Sequence, residues 1–263
     1  MPQLIVTRAN AEKQVALHRK RVERHTLYGY AGCLPRKIAY GCIPDVRPSS
    51  FYFPRIPRDQ WPDLIAQGKG TWLGDLVQPV LPPKDQNGLN YCWMYGSVRA
   101  IEALRVFEGQ TPLQFSPESA AVPITGGRNR GGSPDEALEW LRTYGVCDQN
   151  LWPALDLNIH HAKAGWKTEA LNHVILKWAD VDTFDDQMTL ALHRIPIAIG
   201  LGWWGHLVCQ LDPIQLDNDQ FGIGIDNSWG VDWGDNGYGI LDEEHGTADL
   251  GAFAPISETF STT

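Results

Sequence analysis

The periodicity of the chain changes once, and that change limits the folds open to it. From Cys92 to about Glu108, Trp93, Val98, Ile101, Leu104 and Phe107 recur at close to helical spacing. Ser116-Pro117-Glu118 starts a short second helix. Ser133-Pro134-Asp135-Glu136 carries three start signals: an N-cap Ser, Pro at the first helical position and Glu at the capping-box position. That helix runs to a stop at Gly145. Asp185 and Asp186 open a further helix that ends before Pro196. From Ile195 onward the pattern is short strands: Ile195–Leu201, His206–Leu211, Gln220–Asp226 and Gly237–Asp242, separated by Gly, Asp and Asn. Helices followed by strands predict an α+β protein with a helical lobe and a β lobe. A cleft between lobes is a favoured place for a site.

Composition narrows the classes. The chain has 263 residues, 43% hydrophobic and 20% charged, which is ordinary for a soluble globular protein. No apolar run approaches the roughly 20 residues of a membrane-spanning helix. The start, MPQLIVTRANAEKQ, lacks a signal-peptide core, so a cytoplasmic protein is expected. The five cysteines include no CxxC pair and no zinc spacing, and a disulfide scaffold does not suit a chain of this size. No metal and no cofactor are expected.

Charge divides the chain. Residues 1–60 carry 11 Lys and Arg against 4 Asp and Glu, and residues 61–263 carry 11 against 27. We therefore treat 1–60 as a basic N-terminal arm and 61–263 as the main domain. Residues 10–27 predict a basic helix. Gly32-Cys-Leu-Pro35 recurs as Gly41-Cys-Ile-Pro44, and each suggests a turn. The two cysteines could pair or bind a metal, although two thiols do not make a zinc site. Packing of the arm against its own acidic domain is favoured over an assembly contact. The absence of any nucleic-acid motif argues against nucleic acid.

Cys92 lies where a loop becomes a helix, in Asp85-Gln-Asn-Gly-Leu-Asn-Tyr-Cys-Trp93. A helix N-terminus favours thiolate, but a nucleophile also needs a base and oxyanion donors. Alone, Cys92 reads as a buried thiol. His206 follows a Gly/Trp loop, Gly202-Trp-Trp-Gly205, at the start of a strand. Asp226-Asn-Ser-Trp-Gly-Val-Asp-Trp-Gly-Asp-Asn-Gly-Tyr-Gly239 supplies an amide that could orient an imidazole and indoles that could shield it.

These three blocks, in this order, resemble the papain family of cysteine peptidases, over about residues 70–258. The resemblance implies a papain-like two-lobe fold, with an antiparallel β lobe (about 61–84 and 166–263) and a helical lobe (about 85–165). It assigns Cys92 as nucleophile, His206 as base, Asn227 as the orienting residue, Gln86 with the Cys92 N–H as oxyanion donors, and Trp229 as the shield. Gly131 and Gly132 match the pair whose backbone binds the substrate chain, and Leu250–Pro255 matches the closing strand. The implied activity is hydrolysis of peptide bonds in a peptide or protein substrate through a thioester acyl-enzyme, with a strongly acidic thiol. The alternative is a papain-fold structural or interaction component of a larger assembly, with residues 1–60 as its contact or as a propeptide-like segment.

Four departures carry expectations. Leu89 and Asn129 stand where the family has a disulfide pair, which fits a reducing compartment of bacterial or phage type and leaves geometry to packing. Asn90 and Tyr91 replace small residues, so their bulk should crowd the cleft. The run from Pro196 to His206 is short, so one cleft wall should be missing or rebuilt. Gly205 replaces an acidic or polar residue. Elsewhere simpler explanations prevail: His160-His161 as surface loop, Asp182, Asp185 and Asp186 as a helix start, Cys147 and Cys209 as buried thiols, Gly222–Gly224 as strand. For Trp203 and Trp204, loop packing and lining of the cleft stay equally open.

Overall fold

The computed structural model describes residues 4–23 and 32–257. Its helices are α1 (Ala11–Glu23), α2 (Ser49–Tyr52), α3 (Trp61–Gly68), α4 (Leu73–Val77), α5 (Cys92–Phe107), α6 (Pro117–Thr125), α7 (Pro134–Thr143), α8 (Trp166–Ala170), α9 (Phe184–Leu192) and α10 (Glu243–Gly246). Its strands are β1 (Ile5–Val6), β2 (Arg47–Pro48), β3 (Lys177–Val181), β4 (Ile197–Leu201), β5 (His206–Gln215), β6 (Phe221–Asp226), β7 (Tyr238–Asp242) and β8 (Gly251–Ser257). The fold is α+β and papain-like, as the pattern of helices then strands and the resemblance together imply.

The helix starts follow the sequence signals. Ser133 and Glu136 close a capping box on α7. The helix expected at Asp185 starts one residue earlier, at Phe184, because the Thr183 hydroxyl caps the Asp186 N–H while the Asp186 carboxylate receives the Thr183 N–H. α5 carries Cys92 at its first position and is buried along nearly its whole length. It can be apolar on almost every side because the helical lobe lies on one flank and β5 on the other; a Cβ on Gly96 would stand 2.4 Å from Leu207.

The strands form one eight-stranded sheet in the order β1-β7-β6-β5-β4-β8-β3-β2. The six central strands pair antiparallel. Both edges come from the basic arm and pair parallel: Ile5 sits opposite Ile240, and Arg47 opposite Ala179. Neither edge strand was visible in sequence, because two residues are too short for an alternating pattern.

Part of the arm's charge is paired with its own body. Arg36 makes a bidentate pair with Asp180 at 2.8 Å, Arg55 meets Asp186 at 2.9 Å, and Arg58 meets Asp185 at 2.6 Å and Glu243 at 2.7 Å. The basic helix is present as α1; the rest of the 10–27 expectation lies outside the described residues. Gly41–Pro44 contains the expected turn, with Gly41 at φ +70°. Gly32–Pro35 does not turn: it runs extended, because backbone partners on both sides hold it open.

Candidate active site

The two blocks at the ends of the main domain are joined by backbone. Gln86 N–H donates to Ser228 O at 3.0 Å, and Gly230 N–H donates to Lys84 O at 2.9 Å. Gln86 is thereby fixed beside Asn227. Its Oε1 accepts from the Ser228 hydroxyl at 2.5 Å, and its Nε2 donates to Leu89 O at 2.5 Å. Only one of its two amide hydrogens is used in that bond, so the other remains for an oxyanion.

His206 Nε2 lies 2.8 Å from Asn227 Oδ1. With the oxygen facing the ring, Nε2 donates and Nδ1 is the ring's acceptor. Backbone N–H groups of Leu207, Trp93 and Cys92 point at the Cys92 sulfur. Leu207 follows His206 directly, so the thiol sits against the strand start that carries the imidazole. Those three donors favour thiolate, yet burial dominates and pushes the thiol up to about 12. The strongly acidic thiol implied by the resemblance is therefore absent in this state.

The arm lies over the thiol. Residues 32–36 cross the cleft as a strap. Cys33 N–H donates to Gly205 O at 3.0 Å, Leu34 N–H to Gly132 O at 3.0 Å, Gly132 N–H to Gly32 O at 3.2 Å, and Arg36 N–H to Leu250 O at 2.8 Å. Cys33 and Gly132 form a parallel bridge. A Cβ on Gly32 would stand 2.7 Å from the Cys92 sulfur, so any side chain there presses on the thiol. Cys92, His206 and Asn227 have no exposed surface, and Gln86 keeps 2%.

Of the residues expected to bind substrate backbone, Gly132 faces the strap, and its missing side chain leaves room for the Trp93 ring, which a Cβ would meet at 2.4 Å. Gly131 is turned aside, its carbonyl accepting from Arg130 at 2.8 Å. Trp229 packs on His206, with ring centroids 5.0 Å apart. It is 2% exposed and offers almost no face to a substrate here.

Other expectations are corrected. Tyr91 does not crowd the cleft: its ring is turned into the helical lobe, where its hydroxyl meets Thr125 Oγ1 at 2.7 Å and donates to Arg128 O at 3.0 Å. Geometry at the missing disulfide is not left to packing alone. The Asn129 side chain accepts the Asn90 N–H at 2.7 Å and donates to Gly88 O at 3.5 Å, linking the same two loops. The short run before His206 is a four-residue hairpin turn from Gly202 to Gly205, and the strap and Trp204 stand beside it. Cys33 is buried and Cys42 exposed, both are free thiols, and Cys147 and Cys209 are buried as expected. Among the described residues no group of His, Cys, Asp and Glu could hold a metal ion, and no helix is long and apolar enough to cross a membrane.

Sequence reasoning missed Arg99. It lies two turns after Cys92 on the same helix, fully inside the protein. Its Nε donates to Asp226 at 2.5 Å, and its other nitrogens reach Glu102, Leu81 O and Pro82 O at 3.1 Å. Against the burial that disfavours its charge, Asp226 and Glu102 keep it protonated. Because Asp226 precedes Asn227, this pair bolts the helix of the nucleophile to the strand of the orienting amide. The available signal was an arginine seven residues past Cys92 in an otherwise apolar helix.

No family model matches the chain. Among curated proteins it is 24% identical over 193 residues to the oryzain gamma chain of Oryza sativa subsp. japonica, covering 64% of this chain and 52% of that one. It is 25% identical over 194 residues to the thiol protease aleurain of Arabidopsis thaliana, covering 64% and 53%. The chain thus spans about half the length of these relatives. Among solved structures, xylellain, a cysteine protease from Xylella fastidiosa, superposes with a TM-score of 0.61 at 17% identity, over 87% of this chain and 98% of that one. The chain has the papain-like cysteine protease fold. That fold includes the sheet against which α5 rests, and the three blocks follow the order that the resemblance implies.

Proposed function

We propose that this chain is a papain-family cysteine peptidase, held in a closed form by its own arm. The observation that carries the proposal is the bond from His206 Nε2 to Asn227 Oδ1 at 2.8 Å, in a site where Leu207 N–H meets the Cys92 sulfur. In the open form Cys92 transfers its proton to His206 Nδ1 and attacks a peptide carbonyl. The Cys92 N–H and the free Gln86 amide hydrogen receive the oxyanion. His206 then protonates the leaving amine, and water, activated by the same ring, hydrolyses the thioester.

The strap is an occupant and not a substrate. Its Gly32 carbonyl is committed to Gly132 N–H, away from Gln86, so the Gly32–Cys33 bond is not presented for attack. Residues 1–60 act, on this proposal, as a retained inhibitory segment. The test is turnover of fluorogenic peptides and labelling by a thiol-directed epoxysuccinyl inhibitor, comparing full-length protein, a strap-displaced Gly32→Val variant and Cys92→Ala. Activity and label in the first two that vanish with Cys92→Ala support the proposal. No label in any form would overturn it.

The complete occlusion of Cys92 favours one second reading, a papain-fold interaction component that never opens. It predicts a stable partner complex that depends on residues 1–60, and no labelling of Gly32→Val.

A further inference from the structure

The histidine of the site has a second aromatic neighbour that the peptidase mechanism does not use. Trp204 lies two residues before His206, at the top of the turn between β4 and β5. Its ring centroid is 4.9 Å from that of His206 at an interplanar angle of 61°. It is also 5.3 Å from Trp229 at 78°. Trp229 is in turn 5.0 Å from His206, so the three rings form a nearly equilateral triangle. Trp203 stacks on the outer face of Trp204 at 5.1 Å and 15°, and Trp233 stands 6.0 Å away on another side. Trp204 is 2% exposed.

Two facts separate this residue from ordinary core packing. Its indole N–H is buried and has no hydrogen-bond partner. Leaving such a donor without an acceptor is destabilising, so the ring is held in this corner at a cost to the fold. Fold stability alone therefore does not explain a tryptophan here. The second fact is the backbone. Gly205, at φ +63°, lets the turn place the ring before His206 and leave the next carbonyl for the Cys33 N–H of the strap. Gly202 N–H is tied to Asp249 at 2.5 Å, which fixes the other end of the turn.

We propose that Trp204 is a positioning residue for His206, forming with Trp229 the apolar corner that holds the imidazole plane and keeps water from its bond to Asn227. Trp229 covers one side of that bond. Trp204 covers the adjoining side, which faces the hairpin turn. A ring confined by two indoles has little freedom to rotate about χ2, so Nε2 stays on Asn227 while Nδ1 stays toward the thiol. In a dry corner the hydrogen bond is also electrostatically stronger than it would be in water.

The inference rests on the peptidase proposal for its kinetic consequence but has a readout of its own. In isotope-labelled full-length protein, the His206 Nε2–H gives a downfield ring-proton resonance whose exchange with solvent is measurable by NMR. Trp204→Ala is expected to speed that exchange at least 10-fold, and Trp204→Phe to leave it within about twofold, because a second aromatic ring still closes the corner. In the Gly32→Val background, Trp204→Ala should lower kcat about 10- to 100-fold with KM nearly unchanged, and Trp204→Phe should restore most of it. A folded Trp204→Ala variant with unaltered exchange would overturn the inference, as would a Trp204→Phe variant as damaged as Trp204→Ala. If Gly32→Val with native Trp204 shows no turnover and no inhibitor label, the peptidase proposal fails, while the exchange measurement still decides the role of Trp204.

Discussion

Replacing Gly32 by valine should open the site. The substitution puts a Cβ 2.7 Å from the Cys92 sulfur, about 1 Å inside ordinary contact. The backbone at Gly32 does not lie in the left-handed region, so a side chain is otherwise allowed there. Alanine could be met by rotation of the thiol, whereas the branched valine leaves no such escape. Overpacking of this kind raises the energy of the closed form by about 1–3 kcal/mol. The strain is relieved by withdrawing Gly32 and Cys33, which returns their backbone groups to water at little net loss. The open fraction, and with it the rate of Cys92 labelling, should rise about 5- to 150-fold. Exposure adds to the effect, since the thiol leaves the burial that holds it at about 12. The assay is pseudo-first-order labelling of full-length protein by an epoxysuccinyl inhibitor, followed by intact mass, with Gly32→Val/Cys92→Ala as the blank. Circular dichroism checks that both proteins are folded. A folded Gly32→Val that labels no faster than wild type refutes the idea that the strap gates the site.

Three other substitutions test the frame of the site. Arg99→Leu leaves Asp226 a buried carboxylate without its cation, while Glu102 keeps Lys84, and should lose about 3–5 kcal/mol in urea unfolding; a loss under about 1 kcal/mol would show that the Arg99–Asp226 pair is not a bolt. Asn129→Ala removes the link between the Gly88–Asn90 loop and the Gly131–Gly132 loop and should cost about 1 kcal/mol, seen as a fall in Tm of about 2–4 °C. Asp212 is held at about 6, mainly by burial, with the N–H groups of Gly74 and Leu73 opposing and Asp75 adding to the rise. A raised native value means that its contribution is full below the unfolded value of about 3.9 and is lost as pH climbs through about 6. Asp212→Asn should therefore remove about 2 kcal/mol of the stability difference between about pH 4 and pH 7, and an unchanged difference would assign that pH dependence elsewhere.

The parts legible in sequence were those whose cause is local or carried by a resemblance. The capping box of Ser133 and Glu136 and the short apolar runs of the central strands declare themselves within a few residues. Gln86, Cys92, His206 and Asn227 were singled out because they sit in three distinctive blocks, and the fold brings those blocks to one place. The strap was not legible. Gly32-Cys-Leu-Pro35 has the composition of a turn, and only its partners, Gly132, Gly205 and Leu250, pull it straight. Tyr91 was expected in the cleft because its neighbours in sequence are there, but its hydroxyl finds acceptors only inside the helical lobe. Arg99 was passed over because its partner, Asp226, is 127 residues away. Trp204 was left undecided because a tryptophan in a glycine turn fits a packed loop and an exposed one equally well.

The placement of β1 and β2 at opposite margins of the sheet bears on how the chain can be processed. One cut within residues 32–36 would release neither piece. The front piece would remain stitched beside β7 and by the bond from Trp233 to Gln14, and the rear piece beside β3 and through Arg55 and Arg58. The nicked protein would elute from gel filtration as a single particle of unchanged size and come apart only in denaturant. Trimming away all sixty residues is a different event, since it would bare two strand margins at once and turn a self-contained sheet into one that can recruit its neighbours.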